Sequence, residues 1–233
     1  MANSLISDLV VANRILFSEG VLDGFGHVSV RDARNADRFW LARSMAAGLV
    51  EARDVMAFDL DGAPIDARGR AVFLERFIHS EIYRARPDVQ SVVHSHSPNL
   101  VPFGVTPVKL KPLYHMTGFL GAGVPVFEIR KVAGTETNLL ITDGRLGKAL
   151  ARSLAGNPAA LMRGHGSVVV GESLQQSVYR AVYMELNARL QAEAMRLGRV
   201  TYLTAGEARA GAAVNDRMLH RPWELWKRKA MGK

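Results

Sequence analysis

Apolar side chains recur at helical spacing near the start of the chain. Leu5, Leu9, Ala12 and Leu16 fall on one stripe, which predicts an amphipathic helix from about Ser4 to Glu19, with Gly20 ending it. The period then changes. Gly24 to Arg31 reads as a glycine-rich loop running into a strand, Phe39 to Ala42 as a second strand, and Asp54 to Leu60 as a third with Asp61-Gly62 as its hairpin turn. Helical spacing returns from Leu74 and puts Glu75 and His79, four apart, on one face. Pro87-Asp88 breaks that helix, and Val89 to Val93 leads as a strand into His94-Ser95-His96. Pro102, Pro107 and Pro112 keep Val101–Thr106 and Lys109–Met116 loop-rich.

Gly121 to Glu128 reads as turn plus strand, and Thr142 to Leu154 as a helix capped by Thr142 or Asp143. Ala159–Met162 and Ser167–Val170 are short apolar strands on either side of the turn Arg163-Gly164-His165-Gly166. The longest helix runs from Ser173 to about Leu197, with Leu174, Val178, Ala181, Val182, Leu186 and Leu190 as a stripe for core or subunit contact. A tail from about residue 215 holds Trp223 and Trp226, two of the three tryptophans, and reads as a peptide packed on its own domain. With no repeat, low-complexity segment or linker, residues 1–233 read as a single domain.

Composition narrows the classes. Hydrophobic content of 48% with mean hydropathy near zero describes a soluble globular chain, and no apolar run approaches the roughly 18 residues of a membrane span. The N-terminus lacks a basic region and a small-residue cleavage site, so the expected location is the cytoplasm. Zero cysteines exclude disulfides and thiolate ligands, and any metal must be held by nitrogen and oxygen. The net charge of +8 is scattered apart from Lys227-Arg228-Lys229. Without aromatic-basic interleaving it argues against a nucleic-acid partner and for a small anionic substrate.

Strand geometry sends side chains at i and i+2 to one side, so His94 and His96 can reach one ion. His165, on a turn that Gly164 and Gly166 allow to bend sharply, is a third candidate ligand. Three neutral imidazoles and an open position make a catalytic zinc arrangement, and manganese, iron or cobalt fit the same donors. Glu75 is the candidate for proton transfer, with Phe73, Leu74 and Phe77 nearby in sequence to raise its pKa. Three roles are open for His79: orienting Glu75, touching substrate, or sitting satisfied in the core. Arg43, Arg31 or Arg163 can clamp a carboxylate. His220 reads as structural or solvent-facing.

Glu75-x-x-x-His79, His94-Ser95-His96 and Arg163-Gly164-His165-Gly166, at these separations, resemble the class II aldolase/adducin family over roughly Leu9 to Leu197. The resemblance implies a three-layer α/β/α sandwich around a mainly antiparallel sheet, assembled as a homotetramer with sites between subunits. It also implies a divalent metal and a lyase reaction in which a metal-held enolate is stabilised. In that family the position of Gly26-His27-Val28-Ser29 usually reads Gly-Asn-x-Ser and holds the substrate's anionic end, which makes His27 and Ser29 substrate-binding candidates. Arg43 and Ser44 occupy a neighbouring anion loop, and His115 lies where members place pocket residues. Sugar-phosphate members carry a Ser-Ser pair before the catalytic glutamate, where this chain has Phe73-Leu74. Apolar side chains cannot donate to phosphate. The pattern is closest to the branch that decarboxylates dihydroxylated aromatic acids of the dihydroxyphthalate type. An aldolase for a non-phosphorylated hydroxy-oxo acid and a non-catalytic adducin-like interaction module are the alternatives.

Overall fold

A computed structural model of the chain describes residues 2–232. Its centre is one seven-stranded sheet. The strands are β1 (His27–Arg31), β2 (Arg38–Ala42), β3 (Val55–Asp59), β4 (Ser91–Ser95), β5 (Val126–Phe127), β6 (Ala159–Met162) and β7 (Gly166–Gly171). They lie in the order β3-β2-β1-β4-β7-β6-β5. Every neighbouring pair is antiparallel except β5 and β6.

Helices cover both faces, which is why the central strands read as nearly continuous apolar runs. Val93, Leu161 and Val169 point into one core, closed by α1 (Ala2–Ser18), α6 (Leu174–Leu197) and α8 (His220–Ala230). Val92, Met162 and Val168 point into the other, beneath α2 (Arg76–Ala85) and α5 (Gly144–Leu154). There Phe39 and Phe58 stack with centroids 5.4 Å apart, and Ile78, Ile82 and Tyr83 are fully buried in the same cluster. Each such side chain contributes on the order of 2 kcal/mol by leaving water. The result is the three-layer α/β/α sandwich expected, with a mainly antiparallel sheet.

Local signals place the helix ends. Asp143 caps α5 by accepting from the Leu146 amide, and Ser173 caps α6 by accepting from Gln176. The segment 101–106, expected as loop, contains a short helix, α3 (Val101–Val105), with Pro102 in its first turn where a missing N–H costs nothing. The only other helix between α3 and α5 in the described residues, apart from the 3-10 turns of His115–Ala122, is the one-turn α4 (Arg130–Ala133). Segment 109–113 stays extended because α6 supplies its partners. Lys111 N–H donates to Gln191 Oε1 and Leu113 N–H to Asn187 Oδ1, while the amide groups of those side chains donate to the carbonyls of Lys109 and Lys111. Two buried amides therefore do the work of a neighbouring strand.

The tail, expected as a peptide packed on its own domain, does pack there, and it does so as helices. It folds into α7 (Ala205–Asn215), opened by a Thr204–Glu207 capping box, and α8. Trp223 and Trp226 are buried within this chain, in the core shared with α1, so their indoles are not available as contacts between subunits. His220 is exposed at the start of α8, as expected. The turn after β3 makes one bridge, Phe58 to Pro64, rather than a full hairpin. No helix among the described residues is long and apolar enough to cross a membrane.

Candidate metal centre

β4 runs out of the sheet at Ser95, and its alternation sends His94 and, one residue past the strand, His96 to the same side. The β6–β7 turn brings His165 to them, with Gly164 at φ 66° making the bend and His165 N–H returning to the Met162 carbonyl. The Nε2 atoms of His94 and His96 are 3.1 Å apart, and those of His96 and His165 2.9 Å. Glu75 Oε2 completes the group, 3.4 Å from Nε2 of His94 and of His165 and 3.9 Å from that of His96. All four donor atoms lie within 4.8 Å of one another.

The donor set fits a divalent ion. A tetrahedral ion with bonds of ~2.0–2.1 Å to nitrogen has donors about 3.3–3.4 Å apart, close to these separations. The tautomers fit as well. His94 Nδ1 faces the Ser167 carbonyl at 3.0 Å and His165 Nδ1 the Leu139 carbonyl at 2.9 Å. A carbonyl only accepts, so each Nδ1 carries the proton and each Nε2 keeps its lone pair for the ion. Nitrogen and oxygen donors without sulfur suit zinc, manganese, iron or cobalt.

Glu75 departs from the reading that put it inside a helix. It caps α2 with φ −89° and ψ 19°, and its Oε1 accepts from the Ile141 amide at 2.9 Å, which turns Oε2 toward the histidines. Its pKa also moves opposite to expectation. Burial alone would raise it, but contacts with His165 and His94 outweigh burial and hold the carboxyl well below the usual carboxylate range.

A cavity of about 290 Å³ adjoins the cluster. Phe25, Met45, Phe73, Leu74 and Leu140 line it together with His27, Ser44, Glu75 and His96. The sequence-derived candidates His27, Ser44 and Phe73 therefore do meet the metal-type residues. His79 does not reach this space. It is fully buried, with Nε2 2.6 Å from His27 Nδ1 and Nδ1 2.6 Å from Ser29 Oγ, and burial lowers its pKa to about 3. Of its three open roles, the structure places it as a satisfied core histidine behind His27. Ser29, expected to touch substrate, is likewise sealed between His79 and Tyr83.

The arginines are engaged elsewhere. Arg43 Nε donates to Asp54 at 2.7 Å, and Arg163 Nε lies 2.6 Å from Glu128. Arg31 donates to four backbone carbonyls, those of Ala36, Tyr83, Arg86 and Val89, and holds strand to helix. His115 is exposed and lines a separate cavity of about 450 Å³ with Tyr179, Tyr183 and Met218. None of these four lines the space beside the metal cluster within this chain.

Two contributors left no sequence signal that was used. Tyr83 stands four residues after His79 on the same helical face, a spacing that could have found it. The segment 139–141 supplies a carbonyl to His165 and an amide to Glu75, with Leu139 at φ 70°. A non-glycine residue in that region is held by its surroundings, and nothing in the local sequence announces it.

Comparison with known proteins agrees with this geometry. The model for the class II aldolase and adducin N-terminal domain matches residues 7–192. A protein of Talaromyces stipitatus named decarboxylase tropJ is 38% identical, over 92% of this chain and 89% of that one. A 3,4-dihydroxyphthalate decarboxylase of Rhodococcus jostii is 30% identical, over 80% and 79%. Among solved structures, an L-fuculose 1-phosphate aldolase from Glaciozyma antarctica superposes with a TM-score of 0.81 at 24% identity, over 98% of this chain and 90% of that one, a likeness of fold. The sandwich, the histidine pair at the end of β4 and the match over most of the length lead to one assignment: the chain belongs to the class II aldolase and adducin N-terminal domain family.

Proposed function

We propose that this protein is a metal-dependent lyase that decarboxylates a dihydroxylated aromatic carboxylate. The observation that carries the reading is the wall of the cavity beside the three histidines. Phe25, Phe73, Leu74 and Met45 offer flat and apolar surface where a phosphorylated sugar would need donors. Phe73 packs on His27 with ring centroids 4.4 Å apart, which gives the cavity a continuous aromatic wall for a planar ring to lie against. The names of the relatives, decarboxylase tropJ and 3,4-dihydroxyphthalate decarboxylase, support the same chemistry.

His94, His96 and His165 would hold the ion, with Glu75 at the fourth corner of the cluster. When bound, such an ion supplies Lewis-acid stabilisation of negative charge on substrate oxygens. The chain's own residues do the rest. Leu139 and Ser167 carbonyls fix the imidazoles, and Ile141 N–H pins one Glu75 oxygen so that the other takes or returns a proton at Oε2. Leu74, Phe25 and Leu140 offer apolar surface to the ring face.

Zinc is the first candidate for the ion. The proposal extends to a homotetramer, supported by Val214, Met218 and Leu225, which expose apolar surface around the groove that holds His115. Light scattering that finds a monodisperse monomer at micromolar concentration removes the tetramer. The activity is tested by supplying ortho-dihydroxy benzoates and phthalates to zinc-loaded protein and following CO2. If none is turned over while a hydroxy-oxo acid is cleaved into two carbonyl fragments, the aldolase reading replaces this one.

A further inference from the structure

Behind the cavity wall runs a line of four side chains joined by hydrogen bonds. His27 Nδ1 is 2.6 Å from His79 Nε2, His79 Nδ1 is 2.6 Å from Ser29 Oγ, and Ser29 Oγ is 2.7 Å from Tyr83 Oη. All four are buried. The line arises because β1 alternates: His27 and Ser29 point to the face that α2 covers, and His79 and Tyr83 are one helical turn apart on that helix. His27 is its only member that lines the cavity beside Glu75 and His96. Its Nε2 has no hydrogen-bond partner among the described residues and is not among the buried unpartnered atoms, so it opens to that space.

Hydrogen-bond bookkeeping gives the line a direction. Neither His27 nor His79 has a carboxylate at ion-pair distance among the described residues, and a buried unpaired imidazole is neutral. Each ring therefore carries one proton. In one order, Tyr83 O–H donates to Ser29, Ser29 O–H to His79 Nδ1, and His79 Nε2–H to His27 Nδ1, leaving the His27 proton on Nε2. In the reverse order every proton moves to the other side, and the Tyr83 hydrogen must find an acceptor beyond Ser29. No hydrogen bond of the described residues provides one. Only the first order satisfies every buried hydrogen.

We infer that His27 is a fixed neutral N–H donor that grips an acceptor oxygen of the substrate, carboxylate or phenolate, in the cavity that Glu75 also lines. His79, Ser29 and Tyr83 are positioning residues that set its tautomer. The cavity then has a hydrogen-bond donor on its His27 side. It selects a molecule with an anionic oxygen on the His27 side and disfavours one that presents an amine there, because two donors would face each other. The assignment of that oxygen to an aromatic acid rests on the proposed function, and the donor role of His27 does not.

The test is nitrogen NMR of the full-length, zinc-loaded protein labelled with 15N-histidine, with the His27 signals identified by their loss in His27→Asn. The expected result is a proton on Nε2 and none on Nδ1, and a shift of the Nε2–H signal when 2,3-dihydroxybenzoate binds. Ser29→Ala, which breaks the line two bonds away, should give a mixture of tautomers and weaken that binding about tenfold with metal content unchanged. A proton on Nδ1, an imidazolium, or an Nε2–H signal that ignores bound ligand overturns the inference. If the benzoate fails to bind and a hydroxy-oxo acid binds with the same shift, the aromatic substrate is lost and the donor role stands.

Discussion

Gly166 is the tightest point of the candidate metal centre. A Cβ built there would meet the Ser95 carbonyl oxygen at 2.0 Å and His96 Cα at 3.0 Å. The first contact is about 1 Å inside the 3.0 Å that real Cβ atoms keep, and the obstacle is backbone, which cannot rotate away. Ser95 lies between two of the three histidines, so Gly166→Ala must push both of them or pull β7 from β4. Overpacking of this kind costs on the order of 3 kcal/mol, the upper end of the usual range. With an unfolding entropy of ~2.1 cal/mol/K per residue, or about 0.5 kcal/mol/K for a chain of this size, Tm should fall by about 6 °C. A displacement of about 1 Å is half of a ~2.0–2.1 Å zinc–nitrogen bond, so zinc affinity should fall at least as far as the 10–100-fold typical of a disturbed supporting shell. Melting in excess chelator reads the first effect, and competition for zinc against a chromophoric chelator reads the second. Gly156→Ala, where the added carbon meets nothing within 4 Å, is the control and should change neither. Wild-type zinc affinity in Gly166→Ala would refute the reasoning, because it would mean that the end of β4 yields without disturbing its ligands.

Three further outcomes follow from the same geometry. His165→Ala should lose both metal and activity, since two imidazoles hold an ion poorly, and full metal content measured by atomic emission would remove His165 from the ligand set. Glu75→Gln keeps an oxygen donor but not the titrating group, so metal should stay while turnover falls by roughly two to four orders of magnitude; near-normal turnover would assign the proton to another group. His79 titrates at about 3 in the folded chain against its ordinary 6.5, so its contribution to stability is complete above 6.5 and is lost as pH falls from there toward 3. At pH 4.5 the loss from His79 is ~2–3 kcal/mol, with His27 acting in the same direction. Urea midpoints at pH 7.5 and 4.5, both in chelator, should differ less in His79→Gln than in wild type, and an equal difference would rule out His79 as a source of the acid lability.

What the sequence by itself determined is what local physics controls. Strand alternation places His94 and His96 on one side wherever β4 lies in the sheet, and glycines on either side of His165 mark a turn whatever it approaches. Caps at Asp143 and Ser173 are decided by side chains reaching backbone only three residues away. Phe73-Leu74 could be read as apolar wall because a missing hydroxyl is a fact of composition. Only the tertiary structure decided which charged and polar groups are free. Arg31, Arg43 and Arg163 look alike as carboxylate clamps in a string of letters, and their partners stand up to 58 residues away. Glu75 faces the histidines because an amide 66 residues later holds its other oxygen. His79 and Ser29 became interior because α2 lies over β1, and that packing joined them to Tyr83 and gave His27 its direction. Hydrogen-bond direction in a buried line depends on every member at once, so no local pattern encodes it.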